Sequence, residues 1–190
     1  MNIPTSLTLS RAIASPIFFI LYLSPSVKTK IIGFLIFILA AISDFLDGYI
    51  ARRLKLTTKV GRLWDPIADK FLTSFALLYL SIASLVPWFI TALIIGRECL
   101  VTALRLSVMR GKEAVLKPSQ LARIKTACLM LSLTFFLAYD ITRTASPAWE
   151  LYETIPLLLN IILLFVTFLT LFTGAEYLIR NLPPGYQRQQ

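Results

Sequence analysis

The sequence predicts an all-α integral membrane protein, with six transmembrane helices and both termini in the cytoplasm. Three observations lead there. Hydrophobic residues make up 57% of the 190 residues and charged residues only 15%, with a mean hydropathy of +0.75, whereas a soluble domain is about one-quarter charged. The apolar residues fall into six stretches, each near the ~20 residues needed to span a bilayer. Lysine and arginine collect in alternate connections between those stretches, the pattern that sets membrane orientation. The expected organisation is one transmembrane domain over residues 1–182 and a short tail over 183–190. A net charge of +9 would suit nucleic acid, but the basic residues sit in separate loops and make no continuous basic face. The expectation is therefore membrane lipids as surroundings and no nucleic-acid partner.

Taken in order, the first stretch is Leu7–Leu23, short and interrupted by Arg11. No basic region precedes it and no small-x-small site follows it, so it is expected to be structure rather than a leader. Pro4 and Thr5 suit a helix start, and Thr8 and Arg11 are expected to face the cytoplasmic headgroup zone, with Arg11 able to snorkel. The second stretch, Ile31–Leu54, and the third, Asp65–Leu85, flank a loop carrying Arg52, Arg53, Lys55, Lys59 and Arg62. The fourth, Trp88–Met109, is reached through a connection with no lysine or arginine. It leads into a second basic loop with Arg110, Lys112, Lys117, Arg123 and Lys125. The fifth is Leu121–Tyr139 and the sixth Ile155–Ile179; between them Arg143 stands beside Asp140, Glu150 and Glu153. Lys28 and Lys30, in the first connection, run against the trend. Pro183-Pro184-Gly185 ends the last helix. By the positive-inside rule both basic loops and both termini are cytoplasmic. Cys99 and Cys128, each in an apolar stretch, give neither a disulfide framework nor metal spacing and are read as small core residues.

Residues 43–71, SDFLDGYIARRLKLTTKVGRLWDPIADKF, hold four of the ten acidic residues of the chain. A carboxylate in an apolar span costs roughly 2.5–3.5 kcal/mol or more, so these four need a reason to be there. At ~100° per residue, Asp44, Asp47, Gly48 and Ala51 fall on one helix face, and Gly61, Asp65 and Asp69 on another. Two helices joined by a tight cytoplasmic turn thus each offer a carboxylate pair beside small residues. One such pair near basic residues would read as ion pairing with Arg52, Arg53 or Lys70 at a helix end. Two pairs read as a metal site. Carboxylates so close repel unless cations neutralise them. The chain contains no histidine and no clustered cysteine, so hard divalent cations such as Mg²⁺ or Mn²⁺ are the expected cofactors. Two such ions suit displacement at phosphorus, stabilising the attacking and the leaving oxygen. The competing reading, a small cation transporter, requires carboxylates near the midplane and broken helices, whereas these cluster at one surface.

The pattern Asp44-x2-Asp47-Gly48-x2-Ala51-Arg52-x8-Gly61-x3-Asp65-x3-Asp69 resembles, position for position, the signature of the CDP-alcohol phosphotransferase family. That resemblance implies a six-helix membrane enzyme, a homodimer, with this motif spanning its second and third helices. It also implies roles. Asp44, Asp47 and Asp65 would bind two divalent cations; Asp69 would bind metal and take the proton of the acceptor hydroxyl. Gly48, Ala51, Arg52, Thr58 and Gly61 would line the CDP-lipid site, with Arg52 on the diphosphate. The opening Asn2-Ile3-Pro4-Thr5-Ser6-Leu7-Thr8-Leu9-Ser10-Arg11 is similar to that of the phosphatidylglycerophosphate synthase branch, except that Thr5 stands where an asparagine is usual. Pro4, Thr5 and Thr8 join the expected CDP-lipid contacts on that basis.

The acceptor is read from the fourth stretch, where Arg97, Glu98 and Arg105 interrupt an apolar span. Arg97 and Arg105 are eight apart and share a face; Glu98 neutralises at most one of them, and Lys125 can add a third cation. Guanidinium groups at such depth call for anions, and arginine binds phosphate bidentately. A cationic pocket repels choline or ethanolamine. It suits glycerol 3-phosphate first, with inositol phosphate or phosphatidylglycerol as alternatives. Together with the resemblance, this leads to an expected transfer of a phosphatidyl group from CDP-diacylglycerol to glycerol 3-phosphate at the cytoplasmic face of the cell membrane.

Overall fold

The computed structural model describes the backbone of residues 3–54, 61–109, 120–146 and 154–181. Side chains are described for residues 10–43, 70–103, 124, 126–146 and 154–172. Among these residues there are six helices and no strand: α1 (Ile3–Leu23), α2 (Val27–Leu54), α3 (Gly61–Ile82), α4 (Trp88–Met109), α5 (Gln120–Ala145) and α6 (Thr154–Asn181). All six expected helices are present. Their ends differ from the apolar stretches because a helix runs on through polar residues until its backbone is stopped. Thus α3 starts at Gly61 rather than Asp65. It stops at Ile82 because Ser84 turns to a positive φ of 58°, and its neighbours close the turn. The Ser84 amide donates to the Ser81 carbonyl at 3.1 Å and the Leu85 amide to the Leu80 carbonyl at 2.9 Å, the paired bonds of a Schellman C-cap.

Short turns make the first four helices two antiparallel hairpins. Between α1 and α2 the Ser26 carbonyl accepts the Lys30 amide at 3.0 Å, while the Ser26 amide donates to Ser24 Oγ at 3.3 Å. The two helices lie so close that a Cβ added at Gly33 would meet the Tyr22 ring at 2.9 Å. In the second hairpin the Ser81 and Thr91 hydroxyls are bonded at 2.6 Å, and Asn160 Nδ2 ties α6 to the connecting turn by donating to the Leu85 carbonyl at 2.9 Å. Helix α1 lies against both α2 and α3, while α5 touches α2, α3 and α6.

The core is a column of aromatic and aliphatic side chains contributed by all six helices, including Phe18, Phe37, Leu72, Leu80, Ile94, Phe136 and Leu163. Rings interlock from α1 outward: Phe18 on Phe37 with centroids 5.3 Å apart, Phe19 on Phe75 at 5.4 Å, and Tyr22 edge-on to Tyr79 at 4.8 Å. Such pairs add to the gain from burial itself. The outer faces are as apolar as the interior, with Ile20, Leu39, Phe135 and Phe168 all more than 60% exposed. A bundle in water rarely shows such continuous apolar surface. Among the described residues, Thr154–Phe172 of α6 is the one segment long and apolar enough to cross a membrane by length and composition, and only 28% of it is buried in the bundle.

Three expectations are corrected. Lys30 belongs to no loop: it is 7% exposed within α2 and paired with Asp140 Oδ2 at 2.7 Å, so the two charges cancel inside the bundle. Arg11 does not snorkel. It is 4% exposed because residues 11, 15, 18 and 22 form one stripe of α1, the stripe turned to α2 and α3. Cys99 is exposed, since the inward face of α4 at that level is taken by Ile94 and Glu98; an outward cysteine is apolar enough for that surface. Cys128 is half-buried against the core.

Candidate functional site

The direction of each helix follows from its contacts. Lys30 Nζ, at the start of α2, donates to Asp140 Oδ2 and, at 2.9 Å, to Thr144 Oγ1 near the end of α5. The hydroxyl of Tyr79, near the end of α3, donates to the same Asp140 oxygen at 2.5 Å. Tyr22, at the end of α1, donates to the Leu137 carbonyl at 3.2 Å. The ends of α1, α3 and α5 therefore meet the start of α2 at one pole of the bundle. Asp44 and Asp47 lie on α2 about 21–26 Å further along at ~1.5 Å per residue. Asp69 and Asp65 lie on α3, about 15–21 Å back from Tyr79. Both carboxylate pairs thus belong to the opposite pole.

At that pole the backbone puts the motif on two helical stretches. Asp44, Asp47, Gly48, Ala51 and Arg52 are within α2, and Gly61, Asp65 and Asp69 within α3, of which Gly61 is the first residue. Pro4, Thr5 and Thr8 are in the first turns of α1, the helix that packs on both others. Thr58 and the tail 183–190 lie outside the described residues. So do the side chains of the four aspartates, of Pro4, Thr5 and Thr8, of Gly48 through Gly61, and of Arg105 and Lys125. The donor set fits a hard divalent cation by its chemistry: four carboxylates from two helices at one pole, in a chain without histidine.

The fourth helix supplies the side-chain geometry that is described. Glu98 is 5% exposed; its Oε1 accepts from Arg97 Nη1 at 3.2 Å, and its Oε2 is ion-paired with Lys70 Nζ. One buried carboxylate therefore serves two cations, one on α4 and one on α3. Lys70 directly follows Asp69, so the ion pair fastens the Arg97 turn of α4 beside the Asp69 turn of α3. Arg105 lies on α4 about 12 Å further along, and Lys125 lies near the start of α5. Since α5 runs antiparallel to α2, its start is also at the aspartate pole. Sequence reasoning missed Lys70 as a partner of Glu98. It equally missed Lys30, Tyr79 and Asp140 as one buried network. The usable signal was a charge inside an apolar run with its opposite on another helix at matching depth.

Residues 1–172 match the family described as CDP-alcohol phosphatidyltransferase. The chain is also similar to curated proteins named CDP-diacylglycerol--glycerol-3-phosphate 3-phosphatidyltransferase. It is 33% identical to that of Bacillus subtilis, over 95% of each chain. To that of Rickettsia bellii it is 36% identical over 93% of each, and to that of Sodalis glossinidius 38% identical over 72% of this chain and 77% of the other.

Proposed function

The chain belongs to the CDP-alcohol phosphatidyltransferase family, and from that premise we propose that it transfers the phosphatidyl group of CDP-diacylglycerol to glycerol 3-phosphate. The observation that carries this reading is the similarity, nearly end to end, to relatives named for that reaction. The products are phosphatidylglycerophosphate and CMP. The residue pattern and the direction of the helices support the same reading, because they gather phosphate-binding and carboxylate groups at one pole.

In this reading Arg52 holds the diphosphate of the lipid donor, and Gly48, Ala51 and Gly61 leave space for the nucleotide to approach the backbone. Thr58 and the α1 residues Pro4, Thr5 and Thr8 complete the donor site. Arg97, Arg105 and Lys125 hold the phosphate of glycerol 3-phosphate. Asp69 takes the proton from its 1-hydroxyl; that oxygen bonds to the lipid-side (β) phosphorus as the bond to the CMP oxygen breaks. Divalent cations, Mg²⁺ or Mn²⁺, bound by Asp44, Asp47, Asp65 and Asp69 would supply neutralisation of the phosphate charge. The residues themselves contribute position and a fixed field, the main terms in phosphoryl transfer.

The same reading places six spans in the cell membrane, with the termini and the aspartate pole cytoplasmic, as the lysine and arginine distribution supports. A homodimer belongs to it through family resemblance. An acceptor panel tests the reaction: purified chain in detergent is given CDP-diacylglycerol with glycerol 3-phosphate, inositol phosphate, serine or phosphatidylglycerol. Lipid product and CMP are expected with glycerol 3-phosphate; product with another acceptor alone would reassign the branch. Cysteines introduced as Lys59→Cys and Lys117→Cys should label from the cytoplasm and Ala148→Cys from the other side. Labelling of positions 59 and 148 from one side would overturn the orientation.

A further inference from the structure

Glu98 is buried, yet its carboxylate is committed to two cations on different helices, Arg97 of α4 and Lys70 of α3. A structural ion pair needs only one. Breaking a buried pair leaves an uncompensated charge, so a buried carboxylate shared in this way fixes the relative placement of both helices. Here the helices are those that carry, in the proposed reaction, the proton acceptor and the acceptor-phosphate arginines. Lys70 is bonded in sequence to Asp69, and Arg97 to Glu98 itself. The link therefore spans the distance that the reaction must keep constant.

We propose that Glu98 is a positioning residue that holds the α4 arginines at a set distance from Asp69, with Lys70 as its counterpart on α3. This rests on the proposed transfer to glycerol 3-phosphate. Glu98 touches no reacting atom; it decides where the hydroxyl sits once the phosphate is bound.

The distinguishing property is a split between binding and turnover. Glu98→Gln keeps the shape of the side chain but removes the charge that both cations share. The phosphate then meets at least as much positive charge as before, so the KM for glycerol 3-phosphate should stay within about twofold or fall. The hydroxyl loses its alignment with Asp69, and misplacement on this scale costs about ten- to a hundredfold in kcat. Lys70→Met, at a side chain one-third exposed and so tolerant of change, should lower kcat in the same direction, with both KM values little altered. The double variant should lose no more than the larger single loss, because both substitutions cut one link.

Steady-state kinetics of the purified full chain and these three variants, with circular dichroism melting to confirm folding, read all of this. Wild-type turnover with glycerol 3-phosphate comes first. If it is absent, the functional reading falls and this inference falls with it. If the wild type is active, only the inference is at stake. A Lys70→Met enzyme with wild-type kcat overturns it, even should Glu98→Gln fail to fold. So does a glycerol 3-phosphate KM raised tenfold or more in Glu98→Gln with unchanged kcat, or a double variant whose loss is the product of the single losses.

Discussion

The two poles of the bundle handle buried charge in opposite ways. At one, Lys30, Asp140, Tyr79 and Thr144 close on themselves: one cation meets one anion, and two hydroxyls complete the set. The Tyr79 ring lies 5.8 Å from the same ammonium group, within cation–π range. At the other pole Glu98 is divided between Lys70 and Arg97, and the chain adds four aspartates on α2 and α3. The first arrangement closes on these partners and joins three helices, α2, α3 and α5. The second gathers charge of both signs on α2, α3 and α4, where the proposed reaction has its site.

Substitutions sharpen that contrast, and the largest effect is expected at the closed pole. Asp140→Ala strands a buried ammonium and removes the acceptor of Tyr79, so stability should fall by about 3–5 kcal/mol, read as a lower midpoint of thermal or denaturant unfolding. A variant melting like wild type would show that the network is ornamental. Asp65→Asn should do the reverse, with turnover falling by at least about two orders of magnitude, the scale of losing a key electrostatic group, while the melting midpoint holds or rises. Loss of fold with retained specific activity would place Asp65 in the structural class instead.

Next in size is Arg105→Gln. If its guanidinium binds the acceptor phosphate, losing a charge-assisted hydrogen bond worth roughly 1.5–3 kcal/mol raises the glycerol 3-phosphate KM by about 10- to 150-fold. The CDP-diacylglycerol KM should move little. An unchanged acceptor KM in a folded variant would remove Arg105 from the pocket. The smallest expected effect is Ser84→Gly, at the turn after α3 and a member of neither charge cluster. A serine held at φ 58° gives up about 1 kcal/mol that the conformational freedom of a glycine recovers, so the variant should melt slightly higher at unchanged activity. A lower midpoint would mean that the serine side chain stabilises this turn.

Much of the fold was legible in the sequence, because a long apolar stretch marks a helix and each of the six stretches corresponds to one. Helix ends were less legible: the stop at Ser84 depends on backbone bonds to Leu80 and Ser81, which hydropathy does not register. The aspartate motif was legible through its period, since residues 44, 47, 48 and 51 share a face of any helix. Lys30 with Asp140 was not, because they are 110 residues apart and each sits near the end of an apolar run, where it resembles a loop charge. Glu98 was seen as a partner for Arg97, its chain neighbour. Its second partner on α3 depends on the register of the α3–α4 hairpin, which a one-dimensional pattern leaves open. Arg11 was misplaced although its stripe with Ser15, Phe18 and Tyr22 was readable, because its nearness to the chain end favoured the membrane surface.

In the proposed reaction the aspartates of α2 and α3 serve divalent-metal-assisted chemistry on a lipid diphosphate. The most direct measurement is release of CMP and formation of phosphatidylglycerophosphate by the purified chain with CDP-diacylglycerol and glycerol 3-phosphate, before and after chelation with EDTA. Both products should appear in equal amounts, vanish together on chelation and return together with Mg²⁺ or Mn²⁺. Undiminished turnover in a chelated, metal-free preparation would contradict that role.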